Sequence, residues 1–198
     1  MEYISIFLAN RMCKQDVIRE DDRAYYAYSI QLMLEKIIGL FLICIFAFVF
    51  KAFWEIMSFL IVFALLRSHS DGFHCKTSLG CFVLSVITAL STIPVSNLIR
   101  YAPGICQGGV ILSMIFIFCI GTIRNSALNL SDREFDHLKK CSRAGVLIIG
   151  IIVLVFLLVF PHIVFVYYSA LGIIYNALSL MIAKIKGEEV LEDGKEKL

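Results

Sequence analysis

Charge is what this sequence has least of. Only 17% of its 198 residues are Asp, Glu, Lys or Arg, against about 25% in an ordinary soluble domain. From residue 144 to residue 183 there is none. Proline is scarce, with three in the chain, so little interrupts a helix. CxxC pairs are missing, and the seven cysteines follow no regular spacing. That argues against a disulfide framework and fits a reducing face or burial in apolar surroundings. The opening, Glu2 and then dense charge from Arg11, lacks the basic-then-apolar order of a cleavable signal peptide. GxSxG, HExxH and paired membrane aspartates are absent, which removes three familiar hydrolytic arrangements. The net charge of +2, confined to a few segments, gives no reason to expect a nucleic-acid partner. No cofactor or metal is expected.

What remains is hydrocarbon, at 60% of the chain, in runs long enough to cross a bilayer. The sequence predicts an all-α polytopic membrane protein with six transmembrane helices and an N-terminal amphipathic interfacial helix. Residues 1–28 carry Ile4, Leu8 and Met12 at intervals of four, opposite charge. Two readings fit: a helix lying at the interface and leading into Tyr25, Tyr26 and Tyr28, or a plain cytosolic helix. The membrane domain is expected over 29–183, with spans in 37–50, 52–66, 77–99, 101–123, 144–160 and 163–183. Lys51 marks one tight turn and Pro161-His162 another. Pro103, Gly104, Gly108 and Gly109 read as a loop before the fourth span proper. Polar loops fall at 67–77 and 124–143, and a charged tail at 184–198. An even number of spans puts both termini on one side. Arg11, Lys14, Arg19 and Arg23, Arg67 and Lys76, the five basic residues of 124–143 and four tail lysines then share that side, leaving Lys51 and Arg100 opposite. The positive-inside rule assigns the basic side, with both termini, to the cytoplasm.

The loop at 67–77 and the start of the following span form a polar island. Residues 66–81 hold two of the four histidines, two of the seven cysteines and two glycines. His74 and Cys81 are the pair that bears on chemistry. On one continuous helix they would stand about 10 Å apart, too far for a thiol–imidazole hydrogen bond. Gly72 favours a loop, and Thr77 or Ser78 is a suitable N-cap. With Ser78 as N-cap, Cys81 is the third helical residue and His74 can fold back toward it. The positive end of a helix dipole lowers a thiol's pKa, a nearby imidazole can take its proton, and first-turn amides can receive an oxyanion. Arg67 and Lys76 add positive potential. Asp71 and Ser70 are near enough in sequence to orient His74, although Asp71 also suits a turn. The plainer reading is a small inert residue in an apolar span beside a solvated loop histidine.

The segment resembles the signature of the accessory gene regulator B family, membrane-embedded cysteine endopeptidases that process quorum-sensing peptide precursors. The match lies in Arg67, Gly72-Phe73-His74, Lys76-Thr77-Ser78 and Cys81. It extends to the charged amphipathic start, the six-span layout, and the connection Leu130-Ser131…Lys139-Lys140-Cys141-Ser142-Arg143. Two departures stand out: Asp71-Gly72 where a pair of small residues is expected, and Cys75 where alanine is. The resemblance implies His74 as base and Cys81 as nucleophile, with Arg67, Asp71, Gly72, Lys76 and Ser78 in support. Cys75, anchored beside the base, is poorly placed to reach the same imidazole. The implied reaction cleaves a precursor signal peptide through a Cys81 thioester. A thiol or hydroxyl within the substrate then resolves it to a thiolactone or lactone, which scarce water would favour. Residues 1–28 and the basic loop, through Lys139, Lys140 and Arg143, are expected to bind that precursor. Membrane lipid and a second copy of the chain are the other expected partners.

Two rivals rest on other residues. His69, His74, Cys75 and Cys81 are four potential zinc ligands, though their spacing fits no usual finger and adjacent ligation is awkward. Glu55, Arg100 and a helix break at Gly108-Gly109 could line the path of a small transporter or channel.

Overall fold

The computed structural model describes residues 2–15, 17–70, 78–122 and 132–185. Those residues are 90% helical. The helices are α1 (Glu2–Lys14), α2 (Arg23–Val49), α3 (Phe53–Ser70), α4 (Ser78–Ile99), α5 (Pro103–Ile120), α6 (Asp132–Val159) and α7 (Val164–Ile185). Six of these, α2 to α7, are long and apolar enough to span a membrane. The chain divides into two compact units, one of residues 1–50 with 75–87, the other of 51–74 with 88–198.

In the first unit, the charged start is not one helix. α1 stops at Lys14, and a 3-10 turn at Glu20–Asp22 leads directly into α2. The acidic residues of that turn stand at the positive end of α2's dipole, where carboxylates are stabilised. Tyr25, Tyr26 and Tyr28 therefore belong to the first spanning helix. α1 packs on α2, and its buried positions are Ser5 and Ala9, one turn apart. Small side chains let the backbones approach. The Ile4–Leu8 edge of the expected stripe instead faces out, with Ile4 53% exposed. On α2, Ile43 and Ala47 are buried. Gly39 leaves room for Phe82 of α4, 3.3 Å from where a Cβ would stand.

The second unit is organised around α7. Its spanning window is 56% buried, twice the share of any other span. Tyr167, Ile173 and Leu180 share one buried cluster with Val110 and Ile117 of α5 and Val146 and Leu157 of α6, and Leu171 of α7 and Ile56 and Phe59 of α3 are also fully buried. Gly172 explains the closest approach: an added Cβ would stand 3.0 Å from Val62 and 3.1 Å from the Phe59 carbonyl oxygen of α3.

The register of α3 on α7 is fixed by polar contacts. Ser58 Oγ donates to the Phe165 carbonyl at 3.2 Å, Asn176 Nδ2 donates to Ser70 Oγ at 3.1 Å, and Arg67 Nη1 donates to Ser179 Oγ. The early part of α3 pairs with the early part of α7 and the two carboxyl ends pair with each other, so α3 and α7 run parallel. Helices separated by three intervening crossings must do so, which agrees with six spans.

Two expectations about element boundaries are corrected. Pro103 opens α5 as its first residue, and the helix passes unbroken through Gly104, Gly108 and Gly109. Proline is well suited to that position because its missing N–H would have no intrahelical partner there. Gly109 admits Ile174 of α7, 3.3 Å from its Cβ position. The connection at 124–143 is helical from Asp132, so Lys139, Lys140 and Arg143 sit on α6 in continuity with the fifth span. Acidic residues lead that helix and basic ones follow, the order its dipole favours for the first turn.

Candidate active site

α4 begins at Ser78, which makes Cys81 the fourth residue of its first turn. The expected placement differs by one position, within the ordinary spread of helix-boundary assignment. Cys81 is half-buried. Its carbonyl accepts a hydrogen bond from Ser85 Oγ at 2.9 Å, one turn on, as serine commonly does inside an apolar helix. Phe82 beside it packs toward Gly39 of α2, so the first turn of α4 is seated in the first unit. A thiol here feels the positive end of a 22-residue helix. His74, Asp71, Gly72, Cys75 and Lys76 lie outside the described residues, as does the side chain of Ser78.

Arg67 does not project as a bare positive charge. It lies in the last turn of α3 with its guanidinium on Ser179 and 5.9 Å from the Phe63 ring centroid. One turn later, Ser70 Oγ donates to the Leu66 carbonyl at 2.9 Å and accepts from Asn176. Asn176 is fully buried. These contacts clamp the end of α3 from which the 71–77 segment departs. Asn176 and Ser179 were not legible as site residues. The available signal was two polar side chains three apart in an otherwise apolar span, which in a membrane usually face a protein partner.

On α6, the three basic residues differ. Arg143 caps the carboxyl end of α5, donating from Nε to the Phe118 carbonyl at 2.9 Å, with its guanidinium 5.5 Å from the Phe118 ring centroid. Lys139 lies against Gly121, whose φ of 79° ends α5. Ser142 Oγ, buried, donates to the Gly121 carbonyl at 2.6 Å. Lys140 is exposed. Arg143 and Lys139 thus hold the α5–α6 junction, and Lys140 is the one turned outward.

α6 also carries a thiol–imidazole pair that the sequence reading overlooked: Cys141 Sγ is 3.7 Å from His137 Nδ1. Spacing of four on a helix puts the two on one face. Its surroundings suit nucleophilic catalysis poorly. Cys141 sits mid-helix, about two and a half turns past the start, where backbone N–H groups are committed to the helix.

Among the described residues no three His, Cys, Asp or Glu side chains gather as a metal site, while His74 and Cys75 fall outside that description. His69 Nδ1 lies 3.1 Å from the Leu65 carbonyl of its own helix. The Gly108-Gly109 break that a transport path invoked is continuous helix.

Comparison with known proteins adds one positive finding. A family model described as Accessory gene regulator B matches residues 5–182. Neither the curated proteins nor the solved structures gave a match.

Proposed function

Because this chain belongs to the accessory gene regulator B family, whose members take part in quorum-sensing peptide processing, we propose that it is a cysteine endopeptidase with Cys81 as nucleophile and His74 as base. The observation that carries the reading is the place of Cys81 in the first turn of an apolar spanning helix. There first-turn amides can receive a developing oxyanion, and surrounding hydrocarbon limits water. The match spans both the island and the polar connection, so the family's peptide precursor is the substrate class.

In this mechanism His74 accepts the Cys81 proton and the thiolate adds to the scissile carbonyl. The C–N bond then breaks, the departing amine takes the proton from His74, and a Cys81 thioester remains. A thiol of the bound peptide attacks that thioester, transferring the acyl group to itself and returning the proton to Cys81. Thioester exchange is nearly balanced in energy, whereas hydrolysis is downhill, so a site poor in water favours the cyclic product. The charge distribution supports a cytosolic site for this chemistry. Lys140, exposed on α6, and the outward apolar edge of α1 are the surfaces left to engage the precursor.

The test is precursor cleavage by the full chain in proteoliposomes. Cys81→Ala and His74→Ala should each reduce cleavage by about a thousandfold or more, as loss of a nucleophile or its base does. Cys75→Ala and Cys141→Ala should stay within about threefold of the parent. Full activity of Cys81→Ala would overturn the assignment, and its loss in Cys141→Ala alone would transfer the chemistry to α6.

A further inference from the structure

We infer that the cleft between α1 and the turn entering α2 binds the headgroup of an anionic phospholipid bearing a free hydroxyl. The cleft, of about 560 Å³, is lined by Phe7, Asn10, Arg11, Cys13, Lys14, Glu20 and Arg23. Phe7, Asn10, Arg11 and Lys14 stand at i, i+3, i+4 and i+7 of α1, on one face. Glu20 and Arg23 close it from the returning chain. Three cations against one carboxylate leave the lining with a net charge of +2.

Two further observations select the ligand. Asn10 Oδ1 is buried and has no hydrogen-bond partner among the described residues. A buried acceptor left unmade is costly, so the occupant should donate to it while presenting an anion to the guanidinium and ammonium groups. A phosphodiester with a pendant hydroxyl does both. The surroundings then favour a lipid over a soluble phosphate. Next to the cleft, Tyr3 is 91% and Phe7 60% exposed, and Ile4, Ile6 and Tyr25 are also exposed apolar side chains. A polar cleft edged by outward hydrocarbon, where charge gives way to the apolar length of α2, has the two-part character of an amphiphile.

Native mass spectrometry of the full chain in neutral detergent tests this with three lipids: phosphatidylglycerol, phosphatidylmethanol and phosphatidylcholine. Phosphatidylmethanol has the same charge as phosphatidylglycerol without the hydroxyls. Phosphatidylglycerol should be retained most and phosphatidylcholine least. An interfacial cation contributes roughly fivefold to binding an anionic headgroup, so R11Q/K14Q/R23Q should lose roughly a hundredfold for phosphatidylglycerol with phosphatidylcholine unchanged. Asn10→Leu should bring phosphatidylglycerol down to phosphatidylmethanol, about fivefold, the worth of one hydrogen bond. Glu20→Gln should raise retention of both anionic lipids, a gain that misfolding cannot imitate. Equal retention of the three lipids by the parent chain would overturn the proposal. Displacement of lipid by equimolar glycerol phosphate would make it a free-phosphate site. Displacement by an acidic peptide that lipid cannot reverse would make it a peptide site.

Discussion

Asn176 and Ser70 make unequal predictions when each is removed alone. Asn176 is fully buried and donates through Nδ2 to Ser70 Oγ at 3.1 Å. Ser70 in turn donates to the Leu66 carbonyl of its own helix at 2.9 Å. Ser70→Ala therefore strands a buried amide donor, which costs about 1–3 kcal/mol. Asn176→Leu is near in volume and leaves the Ser70 hydroxyl still donating to Leu66. Its cost is the hydrogen bond itself, on average about 0.6 kcal/mol between membrane helices, plus a modest shape mismatch of up to about 1.5 kcal/mol. The double variant removes donor and acceptor together, so it should be more stable than the sum of the singles by about 1 kcal/mol. Equilibrium unfolding of the chain in mixed micelles, with SDS as titrant, measures all three. Precursor cleavage at a temperature where each variant stays folded should fall with loosening at the end of α3, and fall further for Ser70→Ala than for Asn176→Leu. Additive singles, or Asn176→Leu costing more than Ser70→Ala, would refute the direction of donation that this account relies on.

Two more outcomes follow from the packing. Gly172→Ala gains helix propensity of about 1 kcal/mol but drives a Cβ to 3.1 Å from a backbone oxygen. The α3–α7 contact cannot yield cheaply there, so net destabilisation of about 1–2 kcal/mol is expected from unfolding in micelles. Arg143→Gln should destabilise by about 1–2 kcal/mol through loss of a charged donor to α5 carbonyls, while Lys140→Gln leaves unfolding unchanged; a precursor-binding measurement in which Lys140→Gln also has no effect would remove α6 from the substrate surface.

The six spans were legible because the absence of charge is itself a length measurement: an uncharged run of the right size has few alternatives to a membrane helix. Where the reading slipped, local rules for soluble chains had been applied to an apolar helix. Gly104, Gly108 and Gly109 suggested a loop, but α5 continues through them, since Gly109 is where Ile174 fits and close approach compensates for the weak propensity of glycine. Charge in 132–143 suggested a connection, although acidic residues followed by basic ones is also how a helix start is written. Periodicity identifies an apolar stripe, but in a membrane protein both lipid and protein are apolar, and the small residues Ser5 and Ala9 took the protein side.

The site divides along the same line. Cys81 could be placed because its surroundings are local: a cap signal a few residues earlier and an apolar helix after. The Asn176–Ser70 and Ser179–Arg67 pairs each join residues more than a hundred positions apart, and no local pattern announces such a partner. Their distribution nevertheless has functional meaning. Along α3 and α7 the side-chain pairs gather at the carboxyl ends, where the chain continues toward His74, while the opposite end is joined by a serine to a backbone carbonyl. Polar side-chain pairs between membrane helices add little stability on average, so concentrating them there does more to fix geometry than to raise the unfolding free energy. A base carried on a short segment needs a firm point of departure if it is to meet a thiol on a different helix. The parallel clamp of α3 on α7 supplies one.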